Sequence, residues 1–186
     1  MTPTLTAASE PREPKWDVPY PYGWEAAIES AGTVAAPLLA GFSITLITLV
    51  LSIESLHWAN VALFLLVAAT LCLLGAVQAT FWMRRFVVTP SELSDWWGDE
   101  LKNPDRLSAV EQEQRTLAQQ QRVWAGRARW LYDGGILFLL LALPAMLVPK
   151  GGINHAGAMR LAAIALALLG FAAELVWTLS VVRRSR

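Results

Sequence analysis

Few residues in this chain have the type and setting to do chemistry, and Glu174 comes first. It sits in the run G-F-A-A-E-L-V-W, the only ionisable side chain within the body of any long apolar segment. An uncompensated carboxylate at such a depth costs at least ~2.5 kcal/mol on insertion scales, so it marks a candidate functional position. Ala163, Ala167, Gly170 and Glu174 step by four, three and four, which puts the acid on a small-residue helix face suited to packing against protein. Gln78 lies roughly one turn nearer the same end of its own segment and is the expected hydrogen-bond partner. The leading expectation is a structural acid bonded to Gln78 or a hydroxyl. A pore-lining or proton-carrying acid comes next, then an acid that snorkels outward. Ser43, Thr45 and Thr48 offer a polar path, although such hydroxyls more often bond carbonyls of their own helix.

Other chemistry is sparse. Glu54 with His57, and Asn154 with His155, form a weak metal or proton site only if their two loops meet, and two histidines without paired spacing are poor metal ligands. The single cysteine, Cys72, excludes an intrachain disulfide. No nucleophile–base constellation, phosphate-cradling glycine loop or cysteine cluster occurs. The expectation is therefore no enzyme, no metal and no cofactor.

The elements that must position these residues are strongly apolar. The chain has 186 residues, 55% hydrophobic and 16% charged, against about 25% charged in an average soluble domain. Apart from Asp133 and Glu174, charge falls outside four windows, residues 33–53, 59–81, 131–148 and 161–182. The first holds 21 residues, about 31 Å of helix, enough for a hydrocarbon core of about 30 Å. The link between the first two windows is short and requires an antiparallel hairpin. The third carries Asp133 at its start and Pro144 near its far end. The fold class expected is all-α: a polytopic membrane protein of four transmembrane helices in two hairpins, with a cytoplasmic helical hairpin between the second and third. Its parts are a disordered proline-rich tail with interfacial aromatics (1–32, including Tyr20, Tyr22 and Trp24), a first transmembrane hairpin (33–82), a cytoplasmic helical region (83–130), and a second hairpin with a basic C-terminus (131–186).

Orientation follows from the arginines. Both termini and the central region hold all the lysine and arginine except Lys150 and Arg160, so the positive-inside rule places them in the cytoplasm, at a plasma membrane. Twelve arginines against three lysines suggest a GC-rich bacterial genome. Zero formal net charge gives no pointer to nucleic acid.

The central region has its own grammar. T-P-S-E at 89–92 reads as a capping box with proline at the first helical position, and N-P-D at 103–105 repeats the start signal for a longer helix. In that helix Leu107, Val110, Gln114, Leu117, Gln121 and Trp124 step by three and four, a heptad seam that needs a partner. The partner is either another subunit, in a coiled coil, or the short helix carrying Trp96 and Trp97. Charge grades from acidic to basic along it, and Arg84, Arg85, Arg127, Arg129, Arg183 and Arg184 form a collar for lipid headgroups. The helix is expected to run unbroken past Trp130 into the third window, with Gly134 and Gly135 as the place for a bend. The favoured function is a self-associating membrane assembly, with ion conduction as its sharpest form. The alternative is an accessory or scaffold subunit whose cytoplasmic helices dock a membrane or cytoplasmic protein.

Overall fold

In this computed structural model, which describes residues 15–16, 23–53 and 56–184, Gly23 adopts a φ of 86° and the chain enters helix at Trp24. α1 (Trp24–Ser30) continues through a π-helical turn (Ala31–Ala35) into α2 (Ala36–Ser52), forming one rod. The expected unstructured tail through residue 32 is thereby corrected: W-E-A-A-I-E-S contains no proline and buries Ile28. Before Gly23 the proline-rich tail is described only at residues 15–16, and Tyr20, Tyr22 and Glu54 lie outside the described residues. The π turn has a local cause. Pro37 lacks an N–H and its ring collides with the carbonyl four residues back in a regular helix, so the turn before it widens.

α3 (Ala59–Arg84), α4 (Pro90–Trp97) with a 3-10 turn (Gly98–Lys102), α5 (Pro104–Leu147) and α6 (Ala158–Arg184) complete the chain. The described residues form no strand, only an isolated bridge between Leu56 and Pro149. Four helices are long and apolar enough to cross a membrane: Trp24–Ser52, Ala59–Arg84, Pro104–Leu147 and Ala158–Ser180.

The start signals act as their chemistry requires. The Glu92 N–H donates to Thr89 Oγ1 (3.3 Å) while the Thr89 N–H donates to Glu92 Oε2 (2.8 Å), closing a capping box at α4. Asn103 Oδ1 accepts from the Asp105 N–H at 3.0 Å and opens α5. α5 then runs 44 residues without a break, about 66 Å, past Gly134 and Gly135.

α3 lies between α2 and α5 and makes its largest contact with α5. Missing side chains allow the approach. A Cβ on Gly135 would come within 2.6 Å of Leu73, and one on Gly32 would land on Thr80. Ala36, Ala40, Leu73 and Ala76 pack in one core cluster, and Ile28, Ala79, Met83, Ala125 and Ala128 in another nearer the arginine-rich end. α6 has its substantial packing on α5 alone. Only 6% of its most apolar window is buried, against 39% for α3. The helices thus form an open arc, α2–α3–α5–α6, rather than a closed bundle.

Candidate functional site

The arc leaves a cleft of about 310 Å³ between the Trp24–Ser52 rod, α3, α5 and α6. Its polar side belongs to α5. Arg129 and Asp133, four residues apart and so one turn above each other, form an ion pair at 3.5 Å with side chains 22% and 15% exposed. The Arg129 guanidinium also lies over the Trp24 ring, 5.2 Å from its centroid. Tyr132, Thr80 and Trp177 complete the wall. Trp177, one turn from Glu174 on α6, lines this cleft together with Tyr132 and Asp133.

Glu174 is half-buried on the α5-facing side of α6. Ala167 and Gly170 are half-buried with it, and Gly170 approaches Leu140, whereas Ala163 is exposed. Gln78 is elsewhere. It is exposed, and lines a different cavity with Gly75, Ala79, Trp82, Trp124, Arg127, Trp130 and Leu131, to which α6 contributes nothing. The expected Gln78–Glu174 pairing is therefore corrected, because α5 stands between α6 and that face of α3. Ser43, Thr45 and Thr48 donate to the carbonyls of Leu39, Gly41 and Ile44 at 2.8, 3.1 and 3.2 Å, so each serves its own helix. Sequence reading missed Arg129, Tyr132 and Asp133 as a site. The available signal was the opposite charge at i, i+4, hidden because Asp133 reads as the edge of an apolar window.

The heptad seam is covered within the chain. Leu107, Val110, Gln114 and Gln121 are buried, and Leu117 and Trp124 are half-buried. The Lys15 N–H donates to Glu111 Oε1 at 2.8 Å, so Lys15 reaches this helix. Leu93 is buried, and Trp97 lies under Arg106, 4.6 Å from ring centroid to guanidinium, near the start of α5. The 3-10 turn, more than α4, makes the contact with α5. This burial favours the second of the two readings, packing within the chain, and gives the coiled coil no support.

The arginine collar divides. Arg84 pairs with Glu29 at 2.7 Å, and Arg129 with Asp133. Arg85 and Arg127 stack on tryptophans instead, at 4.7 Å over Trp82 and 4.6 Å over Trp124. Arg183 is exposed, and the Arg184 side chain lies outside the described set. At the exposed α4 region the Thr89 N–H and hydroxyl hold the Glu92 carboxyl below the usual carboxylate range. Lys102, 2.6 Å from Asp99, lowers that acid, and the pair raises the lysine in turn.

At the opposite end the two loops do meet. The His57 N–H donates to the Val148 carbonyl at 3.4 Å, and His57 Nδ1 lies 3.1 Å from the Lys150 carbonyl. His155 Nδ1 lies 2.7 Å from the Gly151 carbonyl. Both imidazoles thus bond backbone within the loops, and no group of three metal-ligating side chains gathers among the described residues. No protein-family model, curated protein sequence or solved structure matches this chain.

Proposed function

We propose that this chain is a non-enzymatic, multi-pass membrane protein that self-associates, α6 packing against a second copy. Four apolar helices support the membrane reading. The arginine distribution supports both termini and the α3–α5 connection in the cytoplasm of a bacterium, at the plasma membrane. One observation carries self-association: α6 packs substantially on α5 alone while bearing a half-buried carboxylate. Lipid tails cover apolar side chains readily but give a carboxylate no partner. A second protein surface at the open end of the arc excludes lipid from Glu174 and brings the cleft to a shared boundary. Ion conduction along that boundary is the sharpest form of the proposal.

The test is oligomeric state in mild detergent and in bilayers, in a Cys72→Ala background. Single cysteines replacing Leu166 or Leu169, which are 72% and 67% exposed on α6, should cross-link between copies. A cysteine replacing Leu38 on α2, 69% exposed, should not. A monomer in both media, without cross-links, overturns the proposal. For conduction, Glu174→Gln should alter flux in proteoliposomes, and equal flux assigns Glu174 a structural role.

The second reading is an accessory subunit that docks a protein through α4. It is favoured by Trp96, 67% exposed beside Asp95 and Asp99 on a well-capped short helix. Trp96→Ala separates the readings: it should leave self-association intact and weaken only a docked partner.

A further inference from the structure

We propose that the groove between α3 and α5 at the arginine-rich end is a binding site for one anionic phospholipid, its headgroup at Arg127 and its acyl chain against Gly75 and Leu131. The inference rests on the membrane-spanning reading above and adds a specific ligand to it. The cavity measures about 440 Å³. Its floor is apolar and low, because Gly75 has no side chain and Ala79 is small and buried. Its walls are Trp82, Trp124, Trp130 and Leu131.

Charge selects the occupant. No carboxylate lines the groove, and Arg127 does. Trp82 and Trp124 stack with centroids 5.8 Å apart and planes 20° from parallel. Arg127 lies over Trp124 and Arg85 over Trp82. The ring faces hold each guanidinium by cation–π attraction while leaving its N–H edge free for phosphate oxygens. Among the described residues neither Arg85 nor Arg127 has a carboxylate within 4.0 Å, unlike Arg84 and Arg129. Of the four collar arginines between residues 84 and 129, the two without a carboxylate partner among the described residues are therefore Arg127, which lines the groove, and Arg85, on its Trp82 wall.

Depth agrees with the assignment. Tryptophan and arginine belong at the headgroup level, and anionic lipid concentrates in the cytoplasmic leaflet. From Trp82 to Gly75 the groove descends about 10 Å along α3, into the acyl region of that leaflet. Gln78 falls between, an exposed amide with an apolar wall on either side. At that level the ester carbonyls of a phospholipid offer its N–H groups acceptors. This accounts for a polar residue that the cleft on the other side of α3 does not use.

The experiment reads lipid retention by native mass spectrometry. The full chain is taken from equimolar phosphatidylglycerol and phosphatidylcholine of matched chains. Phosphatidylglycerol should be retained over phosphatidylcholine by about tenfold, the scale expected of one to two guanidiniums near a phosphate. Arg127→Gln should bring the ratio close to parity, Arg85→Gln should lower it partly, and Arg183→Gln should leave it unchanged. Millimolar glycerol phosphate should not displace the lipid, since the chain contributes to holding it. Equal retention of both lipids by the wild-type chain overturns the proposal, and this comparison needs no variant to fold. So does an undiminished preference in Arg127→Gln, or displacement by glycerol phosphate alone. Failure of the chain to resist carbonate extraction from vesicles sinks the membrane reading instead. Insertion without headgroup preference sinks only the lipid site.

Discussion

At the scale of single residues, the arrangement turns on which charges find partners. Arg129 and Asp133 lie within an otherwise apolar part of α5 and are mostly buried, so each makes the other tolerable there. Removing one member of such a pair costs more than removing both, because the survivor stays desolvated and uncompensated. Asp133→Asn should therefore destabilise the fold by about 2–3 kcal/mol, scaled down from fully buried pairs for the remaining exposure. The double variant Arg129→Gln/Asp133→Asn should recover at least half of that loss. Thermal unfolding in detergent checks the cycle, and additive effects would mean the two side chains act separately. Glu174 stands nearby on α6 with its role set by what covers α6, whereas Gln78 belongs with the tryptophans and Arg127.

At the scale of elements, α5 joins regions that composition alone would separate. Its first half is polar, its second half is apolar, and the same unbroken helix carries the buried seam and the Arg129–Asp133 pair. Because the seam is covered by its own chain, Leu107→Glu, at a position 3% exposed, should loosen the fold rather than split an oligomer. Limited proteolysis should then cut faster between residues 85 and 125, with oligomeric state unchanged in the surviving protein. Dissociation without local loosening would restore the intersubunit seam. α4 depends on its capping box. The folded Glu92 carboxyl is depressed, so its contribution is present above the unfolded value near 4 and is lost as pH falls through the lower folded value. Amide exchange at the start of α4 should therefore accelerate below about pH 4, beyond the intrinsic pH dependence. Thr89→Ala should abolish that acceleration and weaken the helix start by about 1 kcal/mol at neutral pH.

At the scale of the whole molecule, an open arc leaves stability unevenly distributed. α3 is clasped on two sides and α6 on one. Amides of α6 should exchange faster than those of α3 in dilute detergent and become protected at concentrations where copies associate. Protection of α6 that never changes with concentration would argue that its single contact with α5 suffices. The sequence by itself determined the helical class, the four apolar segments, the capped starts at Thr89 and Asn103, and the continuity of α5 into the third apolar window. These follow from local rules: composition over a window, side-chain-to-backbone bonds within four residues, and the absence of breakers. Tertiary structure decided the rest. It set which face of α3 meets α5, and hence that Gln78 lines a groove to which α6 contributes nothing, while Glu174 lies half-buried on α6. It turned the heptad seam inward, since a periodic stripe says that a partner exists and not which segment supplies it. It split the arginine collar into members paired with carboxylates and members stacked on tryptophan, because pairing of Arg84 with Glu29 and stacking of Arg85 on Trp82 depend on helix rotation and depth. Hydropathy averages over both.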